Sequence, residues 1–148
     1  MISYLENFLD EKECSFFLEL FKYAKIEEWS DDIYCFSYIN LLSLDLHFNK
    51  FSSCDFDRFR VQRVNENTKV VKYPHKHFLP YSFIIFLNEE FKGGELVFGN
   101  KIFIPKTGDM VFFSGDALHS VKDTVGDRFT LVGFLNNNPD FLKTNKVI

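Results

Sequence analysis

Across residues 73–130 the apolar residues come in short runs rich in Phe, Ile and Val, with Gly or Pro cutting in between them. Runs this short, bounded by turn residues, suit strands that keep reversing direction rather than long helices. Strand-length segments fall at 59–64, 69–73, 81–87, 95–98, 101–104, 109–113, 118–121 and 128–134. Between them lie Asn65-Glu66-Asn67, Gly93-Gly94, Gly99-Asn100, Pro105 to Gly108, and Gly126-Asp127, all good turn formers. This pattern predicts a mainly β fold, a jelly roll or barrel of antiparallel sheets.

The N-terminal part adds a helix. Residues 1–8 alternate enough for a short strand, and Asp10 followed by Glu13 is a capping-box signal. Behind it Cys14, Phe17, Leu18, Leu20, Phe21 and Ala24 recur at helical spacing, predicting an amphipathic helix over 11–25 that packs on the sheet. Residues 33–39 read as a strand, 41–48 as a strand or a helical turn, and 52–57 as a loop. The 136–139 stretch breaks the strand pattern, so the tail from about 136 reads as flexible. With no repeat, linker or low-complexity block, residues 1–148 read as one domain.

Composition excludes some functions. A net charge of −4 gives no support to nucleic-acid binding. No run approaches the roughly 20 apolar residues of a membrane span, and the acidic start lacks a signal-peptide pattern. Cys14, Cys35 and Cys54 show no metal-type spacing and read as reduced thiols of a cytoplasmic protein. The 20 Phe residues suit a Phe-filled core.

Three of the 4 histidines, His75, His77 and His119, fall within the strand-rich window. A close pair and a distant third, delivered by strands of one barrel, suit a metal site better than unrelated structural histidines. Arg128 with Thr130 on the same strand face can grip a carboxylate; the plainer reading is a surface bridge from Arg128 to Asp127 or Glu95. Arg58, Arg60, Arg63, Lys69 and Lys72 form a basic cluster, read as a solvated strand face or as a surface for an acidic substrate. Asp116 lies close enough in sequence to orient His119 or merely to shape the loop.

The ordered segments FRVQRV, HKH, FIIFLNEEFKGGELVF, IPKTGDMVFF, His119-Ser-Val and GDRFTLVGF resemble the 2-oxoglutarate/Fe(II)-dependent dioxygenases of the prolyl 4-hydroxylase-like group. The opening YLENFLDEKECSFFLELF is similar to that family's first strand and helix. The resemblance implies a double-stranded β-helix, Fe(II), 2-oxoglutarate as co-substrate with ascorbate as an accessory, and hydroxylation of a C–H bond in a peptide or small molecule. It also implies His75 and His119 as iron ligands, Arg128 and Thr130 as the clamp on the distal 2-oxoglutarate carboxylate, and Tyr73 as a phenol donor to it. Two positions depart from the family pattern: His77 stands where the family has Asp or Glu, and Val64 where it commonly has Tyr. A neutral imidazole in place of a carboxylate leaves bound metal with one more unit of positive charge. The same window is similar to the cupins, which use His-x-His and a later His but add a Glu that HFLPYSF does not offer. A three-His metalloprotein that ignores 2-oxoglutarate, or a catalytically inactive barrel used for binding, are the alternatives.

Overall fold

The computed structural model describes residues 1–23, 33–35 and 50–144. Strand β1 (Ile2–Leu5) leads into helix α1 (Glu11–Tyr23). The predicted capping box forms reciprocally: Glu13 N donates to Asp10 Oδ1 at 2.8 Å and Asp10 N to Glu13 Oε1 at 2.9 Å. Cys14, Phe17 and Phe21 make the buried stripe of α1. The remaining strands are β2 (Ile33–Cys35), β3 (Phe56–Val64), β4 (Tyr81–Phe86), β5 (Lys92–Gly93), β6 (Leu96–Phe98), β7 (Lys101–Phe103), β8 (Met110–Ser114), β9 (Ser120–Val121), β10 (Thr124–Val125) and β11 (Arg128–Leu135). The predicted segment 41–48, the later part of 33–39 and the last two residues of the predicted helix lie outside the described residues.

The major sheet has the order β1-β8-β4-β11-β3-β2, and every neighbouring pair is antiparallel. Opposite it stand a three-stranded sheet, β7-β6-β9, and the short pair β10-β5. This is the double-stranded β-helix that the resemblance implied, a form of the jelly roll expected from the strand pattern, mainly β with one N-terminal helix.

Pleating gives the major sheet two unlike faces. One buries Phe59, Val61, Phe83, Ile85, Phe112 and Leu131 against α1 and Phe51. Its rings meet closely: Phe56 on Phe59 at 4.5 Å, Phe51 on Phe83 at 5.7 Å and Phe21 on Phe129 at 5.2 Å. Full burial of each such side chain contributes about 1.5–3 kcal/mol, so this face accounts for much of the use of Phe. The other face packs Val64, Ile84, Phe86, Val111, Phe113 and Val132 against Leu96, Phe98, Phe103 and Val121 of the smaller sheet.

Two expectations need correction. The loop predicted to run to residue 57 ends earlier, because β3 already starts at Phe56. Residues 69–73 are not a strand: Val70–Lys72 forms a single 3-10 turn. β3 has β2 on one edge and β11 on the other, so no edge is left for a hairpin partner. Past residue 136, Asp140–Thr144 forms another 3-10 turn, and Phe141 packs on Phe8 at 4.9 Å.

Candidate functional site

Alternation along three adjacent strands sends a second set of side chains between the sheets. Arg60, Gln62 and Val64 of β3, Ile84 of β4, and Arg128, Thr130 and Val132 of β11 line one cavity with Val71, Val121 and the three histidines. Register fixes the arrangement: Arg128 lies opposite Val64, Thr130 opposite Gln62, and Val132 opposite Arg60.

Main-chain hydrogen bonds bring the histidines together. His75 N donates to His119 O at 2.9 Å and His119 N returns to His75 O at 3.0 Å, a one-residue antiparallel bridge. His77 N donates to Gly115 O at 2.7 Å. A Cβ on Gly115 would lie 1.7 Å from Leu79 O, so only glycine lets the His77 segment pass this close. The ring centroids of His75 and His119 are 4.2 Å apart and those of His77 and His119 4.6 Å.

One ligand atom from each ring lies within 4.8 Å of the others. Nδ1 is already engaged on all three rings: His75 with Tyr73 O at 2.8 Å, His77 with Ser82 Oγ at 2.6 Å and His119 with Ala117 O at 2.9 Å. That leaves Nε2 of each ring for the cluster, with the Nδ1 partners orienting the rings as outer contacts do in metal sites. With metal–imidazole bonds of about 2.1 Å, three nitrogens on one ion lie about 3.0–3.4 Å apart in facial or tetrahedral geometry. Ring rotations that draw the nitrogens together by roughly 1–2 Å would close the site, so the three imidazoles fit a metal ion. Burial pulls His77 down to about 3, helped by repulsion from His119, His75 and Arg60. Burial also pulls His119 down to about 4, against the hydrogen bond to Ala117 O and with repulsion from His75. Both rings are thus neutral near pH 7, the form that ligates.

Arg128 is buried, 2% exposed, and lines the same cavity. Its Nε donates to Gly94 O at 2.9 Å, its guanidinium stands 5.5 Å from the centre of the Phe86 ring, and its buried NH2 group has no hydrogen-bond partner. Gly94 has φ 74°, and a Cβ there would come within 2.9 Å of Arg128 Cδ, so the Gly-Gly turn is shaped around this side chain. Burial lowers Arg128 to about 10. Among the described residues no carboxylate pairs with it, so the surface bridge to Asp127 or Glu95 is not formed. An orphaned, buried guanidinium fits an incoming carboxylate. Thr130, buried beside it, offers a hydroxyl.

Not every predicted residue arrives. Tyr73 is 70% exposed and does not line the cavity; only its backbone contributes, as acceptor for His75 Nδ1. Asp116 is exposed, and His119 is oriented by Ala117 O instead. The basic cluster divides. Arg58 is exposed, Arg63 lies over the Phe21 ring at 5.6 Å, and Arg60 lines the cavity, 4.8 Å over Phe134 with NH2 donating to Gln62 Oε1 at 3.3 Å. Gln62 and Ser82 were not singled out in the sequence. Their signal was available in part: on β3 a period of two puts residues 60, 62 and 64 on one face.

The sequence profile of the 2OG-Fe(II) oxygenase superfamily matches residues 45–136, more than half of the chain. The chain belongs to that superfamily, whose members use Fe(II) and 2-oxoglutarate. Among solved structures it is similar to an oxidoreductase of the 2OG-Fe(II) oxygenase family from Burkholderia pseudomallei, with TM-score 0.68, 18% identity, and 93% of this chain and 86% of that chain covered. It is also similar to the viral collagen prolyl hydroxylase of Paramecium Bursaria Chlorella virus-1, with TM-score 0.62, 16% identity, and 90% and 87% covered. A third likeness is NgTET1 in complex with 5mC DNA, with TM-score 0.61, 18% identity, and 97% and 74% covered. At these identities the likenesses establish the fold. Comparison with curated proteins gives no match.

Proposed function

We propose that the protein is a 2-oxoglutarate-dependent Fe(II) oxygenase that hydroxylates a C–H bond of a peptidyl or small-molecule substrate, with His77 in the place of the usual carboxylate ligand. The observation that carries this reading is that three Nδ1-tethered imidazoles and a buried Arg128 with an unpartnered NH2 line the same cavity. His75, His77 and His119 would hold the metal. Arg128 and Thr130 would receive the distal carboxylate of 2-oxoglutarate, by a charge-assisted bond and a hydroxyl bond. Tyr73 is left out of the clamp. Once bound, Fe(II) and 2-oxoglutarate would supply the electrons that activate O2, one oxygen atom going to the C–H bond and the other to succinate as 2-oxoglutarate loses CO2. The chain's part is to orient and to shield: Val64, Ile84, Val121 and Val132 wall the cavity and keep water from the reacting atoms.

Family membership favours this reading over a cupin-like three-His protein. The formal charge of −4 argues against a phosphate-backbone partner, so a peptide or small molecule is the better substrate class. The DNA in the NgTET1 complex belongs to that protein. Among the described residues no helix is long and apolar enough to cross a membrane. With free Cys14 and Cys54, a reducing, cytoplasmic setting is our reading of where the protein works.

Anaerobic titration with Fe(II) and then 2-oxoglutarate tests the whole assembly. A weak visible charge-transfer band is expected with both present, and succinate should form when oxygen is admitted. Metal binding with turnover indifferent to Arg128 would favour the cupin-like alternative. Failure to bind Fe(II) at all would favour an inactive barrel.

A further inference from the structure

His77 differs from its two companions in what holds its far nitrogen. Nδ1 of His75 and of His119 lies against a main-chain carbonyl. A carbonyl only accepts, so each of these rings carries a proton on Nδ1, and its lone pair for a metal is on Nε2, turned to the cluster. Nδ1 of His77 instead lies 2.6 Å from the Ser82 hydroxyl, which can give or take a proton. Ser82 is 0% exposed and is not part of the cavity wall. Among the described residues its hydroxyl has no other hydrogen bond. If the hydroxyl accepted from Nδ1, its own proton would be buried without an acceptor, a state folded proteins avoid. The hydroxyl therefore donates, and the His77 proton sits on Nε2.

The geometry points to Ser82 as a positioning residue that keeps metal-free His77 in the Nε2–H tautomer, so that His77 turns an N–H rather than a lone pair toward the preset His75–His119 pair and joins as third ligand only after its proton moves to Nδ1. This rests on the metal reading above and adds an order of events: His75 and His119 engage the ion first, and His77 follows. Protons balance in the change. Nε2 releases one to solvent, Nδ1 takes one up, the ring stays neutral, and Ser82 keeps its own proton, which loses its acceptor, a cost that the third metal bond offsets.

Long-range proton–nitrogen correlation NMR on the metal-free, nitrogen-15-labelled full chain near pH 7 reads each tautomer directly, with His77 assigned by comparison with His77→Gln. The expected spectrum has His75 and His119 protonated on Nδ1 and His77 on Nε2. In Ser82→Ala, His77 alone should move toward a mixture of tautomers. Wild-type His77 protonated on Nδ1 like its companions would overturn the proposal, as would a His77 pattern indifferent to Ser82→Ala. If that variant does not fold, the wild-type spectrum still decides. Co(II) provides the second readout. On loading, His77 should switch to Nδ1–H, and Ser82→Ala should bind Co(II) at least as tightly as wild type. A tenfold or greater fall would mean that the hydroxyl is an ordinary acceptor supporting the ligand, against the proposal. Absence of Co(II) binding in both proteins would count against the metal reading alone, since the metal-free spectrum assigns the tautomer by itself.

Discussion

The two faces of the major sheet are built from the same strands yet obey different rules. On β3, Phe59 and Val61 enter the aromatic core while Arg60, Gln62 and Val64 turn to the cavity; on β11, Leu131 goes one way and Arg128, Thr130 and Val132 the other. The helix-covered face is filled by rings in mutual contact. The opposite face keeps polar and ionisable groups out of water, including a guanidinium with an unpartnered NH2 group. The first arrangement lowers the free energy of the fold, and the second holds groups ready for a ligand at some cost to it. Stability and chemistry should therefore respond to substitution separately, face by face.

The largest separation is expected from Phe83→Ala. Phe83 is fully buried among Phe51, Phe56 and Phe59, and its loss should cost about 3–5 kcal/mol in urea unfolding. Next comes His119→Ala, which should weaken Fe(II) binding by about 100-fold or more in anaerobic calorimetry while shifting the melting temperature little. Arg128→Ala should cut 2-oxoglutarate affinity by about 100-fold, the scale for losing one partner of a buried charged pair. Its urea midpoint should stay near that of wild type, because a desolvated charge goes with it. A fall as large as that of Phe83→Ala would erase the distinction between the faces.

Acid should act through the cavity face. His77 and His119 sit near 3 and 4, below the usual imidazole value of about 6.5. Between those values and about 6.5 the unfolded chain binds more protons, so stability is full above that window and is lost as pH falls through it. His77→Gln should flatten urea-measured stability against pH between about 6.5 and 4. The smallest effect belongs to Tyr73→Phe: with the phenol at the surface, 2-oxoglutarate affinity should stay within about twofold of wild type.

Much of this was legible from residue order alone, where a local rule decides. The capping box, the strands around β4, β6 and β8, and the meeting of His75, His77 and His119 follow from spacing, turn residues and side-chain chemistry. Expectations failed where the outcome depends on what else is nearby. Residues 69–73 have the composition of a strand, but both sides of β3, the strand they follow, are already taken by β2 and β11. Tyr73 has suitable chemistry, but its side chain faces away from the cavity. Arg60 could be read either as part of a solvated face or as a surface for an acidic substrate, because its register against Val132 cannot be read without knowing that β11 is the neighbour. Ser82 was hidden for another reason: a serine inside an apolar run gives no sign that its hydroxyl meets the imidazole five residues before it.

The reciprocal amide pair between His75 and His119 carries a consequence for redesign. Because the peptide groups themselves set the separation of these two positions, replacing either imidazole by a thiol or a carboxyl should leave the spacing intact. The scaffold would then act as a fixed jig on which donor atoms can be exchanged, allowing metal preference to be altered one substitution at a time.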